Sequence, residues 1–157
     1  MVKHQKHPAF LKDCEKTIHA TREGLVPKVE IFDNLIMDLE YKFDYLKNNL
    51  FPYWDLNQEW KVTNNLKMIK KIENKLGSKF IGYCDRESKT ICLDLHEDDW
   101  KIDMLIVHEI CHTFRNCSTH GKLWNNKMIK VSDRCDKLNN YRLADQIRHE
   151  LENYELV

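Results

Sequence analysis

His108-Glu109-Ile110-Cys111-His112 reads HEICH, an H-E-x-x-H pattern, and a third histidine, His120, follows eight residues after the second. On a helix rising about 1.5 Å per residue, positions i and i+4 stack on one face, so His108 and His112 can ligate the same metal ion. Glu109 stands beside them without being a ligand, where a carboxylate can take a proton from a metal-bound water. With His120 as third ligand, the fourth tetrahedral position stays open. Three protein ligands plus water is the pattern of a catalytic zinc site, whereas a structural site is closed.

The motif lies in apolar surroundings. Ile102, Met104, Leu105, Ile106 and Val107 precede it, which predicts a largely buried helix rather than a solvated one. Histidines buried side by side each need a partner, and a shared metal supplies one. Ser118-Thr119-His120-Gly121 reads as a break before another helix, letting the chain turn back and aim His120 at the same point.

Composition narrows the class. The 157 residues suit one domain, 1–157, with an N-terminal helical part over about 1–60 and a motif-bearing core over about 77–132. With 25 basic and 25 acidic residues the formal net charge is zero, so overall charge does not favour a nucleic-acid partner. Only 4 Gly and 3 Pro, with 32% charged residues, favour helix over a turn-rich β-sandwich. No stretch approaches the roughly 20 apolar residues needed to span a bilayer, and the N-terminus lacks the apolar run of a secretory signal. A membrane is therefore not an expected partner and a cytoplasmic location is. There, Cys14, Cys84, Cys92, Cys111, Cys117 and Cys135 stay mostly reduced and serve as small buried hydrophobes. Cys84 and Cys92 would meet across a hairpin if oxidised.

The elements that must position the site follow from periodicity. A short helix is expected over about 8–22. A long amphipathic helix runs from Pro27 to about Asn49, with Ile31, Leu35, Leu39, Phe43 and Leu46 on one face, and Pro52 blocks its continuation. Phe51, Tyr53, Trp54 and Trp60 read as a connector packing its rings on the core. Glu59 to Val62 gives a short strand, and Asn65 to Leu76 a helix closed by Gly77. Residues 79–84 and 90–95 flank a polar five-residue turn and predict an antiparallel hairpin. Asp98 or Asp99 caps the metal helix, Trp100 to Phe114; helices from Lys122 and over about 141–153 complete the chain. The layout is α+β, with a small antiparallel sheet packed on the HExxH helix between N- and C-terminal helices.

Taken together, Gly82-Tyr83-Cys84, Ile91-Cys92-Leu93-Asp94, Val107 to Thr113 and His120-Gly121-Lys122-Leu123-Trp124 resemble the SprT-like metallopeptidases. In that family a G-x-C strand and a second strand precede an H-E-L-x-H helix, and a third histidine opens the next helix in an H-G-x-x-F/W segment. The resemblance covers roughly residues 77–132. It implies a compact zincin-like α+β domain with His108, His112 and His120 as zinc ligands and Glu109 as catalytic acid/base. It also implies a protein or peptide substrate, since members include proteases that cut proteins crosslinked to DNA. The cysteine-rich ribbon or basic tail that often follows the family's protease domain does not occur after residue 132 here. A metzincin pattern fails on spacing, because Arg115 and Ser118 stand where it needs Gly and His.

The expected activity is thus zinc-dependent peptide hydrolysis. The alternatives are a zinc-binding adaptor without activity, which Cys117 as fourth ligand would mark, and a protease acting on DNA-bound proteins, for which Lys67, Lys70, Lys71, Lys75 and Lys79 supply a basic stretch. Tyr141, Arg142 and His149 are candidate oxyanion partners. Asp94, Asp133 and Asp136 are candidate carboxylates for holding the imidazoles in the right tautomer.

Overall fold

The computed structural model describes residues 28–95 and 101–154, with the side chains of the first helix described from Leu39 onward. Among the described residues, five helices and a three-stranded sheet form an α+β arrangement. The helix expected over 8–22, the side chains of Ile31 and Leu35, and the capping role of Asp98 or Asp99 lie outside the described residues.

Helix α1 spans Lys28–Leu50 and buries Leu39, Phe43, Leu46 and Leu50, which recur at three- and four-residue spacing. The connector after it packs as expected. Phe51 is buried, Trp54 meets Phe43, Phe51 and Trp60 with ring centres 5.8–6.2 Å apart, and Tyr53 alone points to solvent. Asp55 fixes this connector, accepting from the Glu59 and Trp60 backbone N–H groups and pairing with buried Lys47 at 2.6 Å.

Strand β1 covers Lys61–Thr63 and helix α2 Leu66–Leu76. The Asn65 side chain accepts from the Lys67 and Met68 N–H groups, and Gly77 closes the helix at φ 70°, the left-handed conformation that glycine adopts without strain. Ile69 and Ile72 face the core, while the five lysines at 67, 70, 71, 75 and 79 are all exposed, as on an ordinary solvated helix face.

Strands β2 (Gly82–Asp85) and β3 (Thr90–Leu93) form the expected hairpin. The sheet is mixed, however, not purely antiparallel. β1 lies parallel to β3 on its other side, giving the order β1-β3-β2. A long connection through α2 separates β1 from β3, which is what a parallel neighbour requires. The register pairs Tyr83 with Cys92 and Cys84 with Ile91. Successive residues of a strand face opposite sides, so Cys84 and Cys92 point away from each other and do not face across the hairpin. Both are free thiols.

Helix α3 (Ile102–His112) is the centre of the molecule. Nine of its eleven residues are buried, and it packs on β2 and β3, on α1, and on the last two helices. Those are α4 (Lys122–Lys137) and α5 (Tyr141–Glu152), which pack extensively on each other. Cys92, Cys111, Cys117 and Cys135 are buried as small core residues, and Cys14 lies outside the described residues. No helix among the described residues is long and apolar enough to cross a membrane.

Candidate metal centre

A helix without an interruption carries His108 and His112 one turn apart; bringing His120 to them takes a sharp reversal. α3 stops at His112. Thr113 donates its backbone N–H to Ile110, and Asn116 takes φ 61°, a left-handed conformation that asparagine tolerates better than most residues. The Cys117 N–H then bonds the Phe114 carbonyl at 3.1 Å. That turn sends the chain back across the end of α3, so His120 arrives over the helix just before α4 begins. Arg86, from the β2–β3 turn, donates to the carbonyls of His112 and Phe114 and ties the hairpin to this reversal.

The three imidazoles converge. Their Nε2 atoms are 3.2 Å (His108–His112), 3.1 Å (His112–His120) and 3.0 Å (His108–His120) apart. Donors on one tetrahedral ion with bonds near 2.0–2.1 Å stand about 3.3 Å from each other, so the triad has the dimensions of a metal's coordination face. These three histidines could hold a metal ion, and among the described residues no cysteine or carboxylate joins the group. Imidazole lone pairs aimed at one point this close together would repel, and a cation at their shared focus would relieve that repulsion.

Each ring is held from behind. His112 places Nδ1 2.7 Å from the Cys117 carbonyl, which leaves Nε2 as the lone-pair atom facing inward. Burial pushes its pKa down to about 4, against the bond to Cys117, so the ring is neutral and competent to ligate near neutral pH. Burial also lowers the pKa of His120. Trp124, fully buried in the first turn of α4, lies against all three rings at 4.7–5.5 Å and donates its indole N–H to the His108 carbonyl at 3.4 Å. Tyr154 stacks on His120 with ring centres 3.9 Å apart.

Glu109 is beside the triad but outside it. Its Oε1 lies 4.0 Å from His108 Nε2, and the residue is 5% exposed. Burial raises its pKa to about 7; the His108 imidazole opposes the rise and Glu150 adds to it. A carboxyl poised near neutrality can both accept and release a proton there. Its pocket exists because residue 82 is glycine. A Cβ on Gly82 would stand 2.6 Å from Glu109 Oε1, well inside contact distance.

The site opens onto a cleft of roughly 840 Å³ between β2 and the ends of α3 and α5, with Phe80, Tyr83, Cys84 and Tyr154 on its walls. Burial raises the Cys84 thiol to about 12, with Glu109 adding to the rise, so it stays protonated and unreactive.

Several residues singled out on sequence grounds stand elsewhere. Tyr141 bonds Asn139, His149 pairs with Glu152, and Arg142 is exposed; none of the three lines the cleft. Asp133 and Asp136 pair with Arg148. Asp94 does line the cleft. Cys117 offers its carbonyl to His112, and its thiol is not among the metal-ready donors. A carboxylate the sequence did not single out, Glu150, places its Oε1 3.3 Å from His108 Nδ1. That imidazole holds the Glu150 carboxyl below its ordinary range, hence ionised. Sequence spacing carried no signal for Glu150 or Tyr154, because both reach the site from an element that follows the motif by some thirty residues.

Compared with protein-family models, curated proteins and solved structures, the chain matches none of them.

Proposed function

We propose that this chain is a zinc-dependent metallopeptidase with a zincin-like, SprT-like catalytic domain. The observation that carries the reading is the conjunction at the cleft: three imidazole nitrogens within 3.2 Å of one another, and a buried carboxylate 4.0 Å from one of them that is not itself a donor. Three imidazole donors favour zinc, a borderline-soft ion that takes nitrogen donors at a tetrahedral site and keeps one position for solvent or substrate. When bound there, zinc would polarise a peptide carbonyl and make water a better nucleophile near neutral pH.

The remaining work belongs to the chain. His108, His112 and His120 hold the ion. Glu109 takes the proton from the attacking water and passes it to the departing amine, a role open to it because it stands beside the triad without belonging to it. The cleft beside β2 receives the protein or peptide substrate, and the apolar floor formed by α3 keeps bulk water away from Glu109. A non-catalytic zinc adaptor would close its metal with a fourth side chain; that no such donor accompanies the triad among the described residues favours the enzyme. A cytoplasmic site of action fits free thiols at Cys84, Cys92, Cys111, Cys117 and Cys135.

Glu109→Gln is the test. The variant keeps its volume and should bind one zinc per chain by elemental analysis, while hydrolysis of an unfolded protein substrate falls by a factor of about 10² or more. Undiminished hydrolysis in a zinc-loaded variant would overturn the acid/base assignment. Absence of zinc binding by the unmodified chain would overturn the metal reading.

A further inference from the structure

We infer that Glu150 is the positioning residue for His108, and that with Tyr154 it makes the last turn of α5 part of the apparatus that holds the metal. The inference rests on the metal reading proposed above. An imidazole that offers Nε2 to a cation carries its proton on Nδ1, and a buried N–H needs an acceptor. His112 has one in the Cys117 carbonyl. His108 is only 6% exposed, and its Nδ1 makes no hydrogen bond of good geometry. The carboxylate oxygen of Glu150, 3.3 Å away, is the acceptor that stands nearest to it.

The same turn reaches the third ligand. Glu150 and Tyr154 are four residues apart, and the bonds Asn153 N–H to Glu150 carbonyl and Tyr154 N–H to Leu151 carbonyl keep the chain coiled past the helix end. Tyr154 therefore lies on the Glu150 face, stacked on His120 at 3.9 Å and 5.8 Å from His108. One ring is gripped through a charge and the other through its flat face. A carboxylate behind a ligating histidine fixes the tautomer and raises the basicity of the nitrogen that binds.

The experiment compares Glu150→Gln with Glu152→Gln, whose carboxylate pairs instead with exposed His149. Zinc affinity measured by chelator competition should weaken 10–100-fold in E150Q and stay at the unmodified value in E152Q. Cobalt(II) loaded in place of zinc should give an altered visible absorption spectrum in E150Q alone, which a general loss of stability would not produce. Equal zinc affinity and superimposable cobalt spectra for E150Q and the unmodified chain would overturn the role of Glu150 and leave the metal reading standing. Failure of the unmodified chain to bind zinc or cobalt would overturn both. Should E150Q not fold, the unmodified zinc-loaded protein decides by ¹⁵N–¹H correlation of its imidazoles. A protected, downfield His108 Nδ1 proton supports the inference, and a proton on His108 Nε2 overturns it.

Discussion

Gly82 and Glu109 meet across the cleft in a way that separates chemistry from stability. An added Cβ would strike the Glu109 carboxylate at 2.6 Å from Oε1 and press its Cδ and Cγ at 3.1 and 3.2 Å, so the clash falls on that one side chain and not on backbone. Gly82→Ala should therefore leave the thermal midpoint and zinc content near their original values and lower kcat at least tenfold, read by steady-state hydrolysis. Glu109 also sets a pH signature in the metal-free protein. Its folded pKa of about 7 lies above the ordinary value of 4.5, so the folded chain binds more protons between those limits. Stability from this group is full below pH 4.5 and is lost as pH rises through 7. Glu109→Gln should then stabilise the metal-free protein above pH 7 by roughly 3 kcal/mol, with the gain vanishing below pH 4.5 in denaturant titrations. His108, Glu109 and His112 were legible because helical spacing alone puts them together. Glu150 and Tyr154 were not, nor was the contact that requires glycine at 82, since their value lies in contacts between elements distant in sequence, and nothing local distinguishes Glu150 from Asp133 or Asp136.

Among the elements, helix ends and apolar faces read well and strand partners poorly. Asn65 and Gly77 bracket α2 as their side-chain chemistry dictates, and α4 begins at Lys122 as expected. α3 ends at His112, short of the Phe114 expected from its apolar run, because the backbone leaves the helix at Thr113 to deliver His120. β1, with three residues, carries too little pattern to announce that it pairs parallel with β3. The 51–60 connector shows what side-chain spacing conceals. Asp55 sits at φ 52° and gathers Lys47, Glu59 N–H and Trp60 N–H around one carboxylate with 2% of its side chain exposed. Asp55→Ala strands a buried ammonium and two backbone donors, and should cost about 3–5 kcal/mol in denaturant unfolding. An unchanged midpoint would show that water replaces the carboxylate without loss.

For the molecule as a whole, the three candidate metal donors come from α3 and the reversal after it, while α4 and the turn after α5 supply the rings that press on them. An ion bound only in the folded state stabilises by mass action, about 2.7 kcal/mol at a hundredfold excess over its dissociation constant. Chelation should lower the melting temperature by roughly 5–10 °C, with full recovery on adding zinc, as seen by calorimetry. A midpoint indifferent to chelator would mean that the fold carries the triad without an ion.

The indole of Trp124, wedged within 5.5 Å of every imidazole in the triad, turns the protein into its own spectroscopic gauge. Copper(II) or cobalt(II) seated there has partly filled d-levels that drain ultraviolet excitation from a neighbouring ring, whereas zinc has none. Emission from Trp124 should accordingly dim with either paramagnetic ion and brighten again on exchange for zinc, and Trp124→Phe should abolish most of that response. Titrating light output against added metal would count occupied chains without any substrate being known.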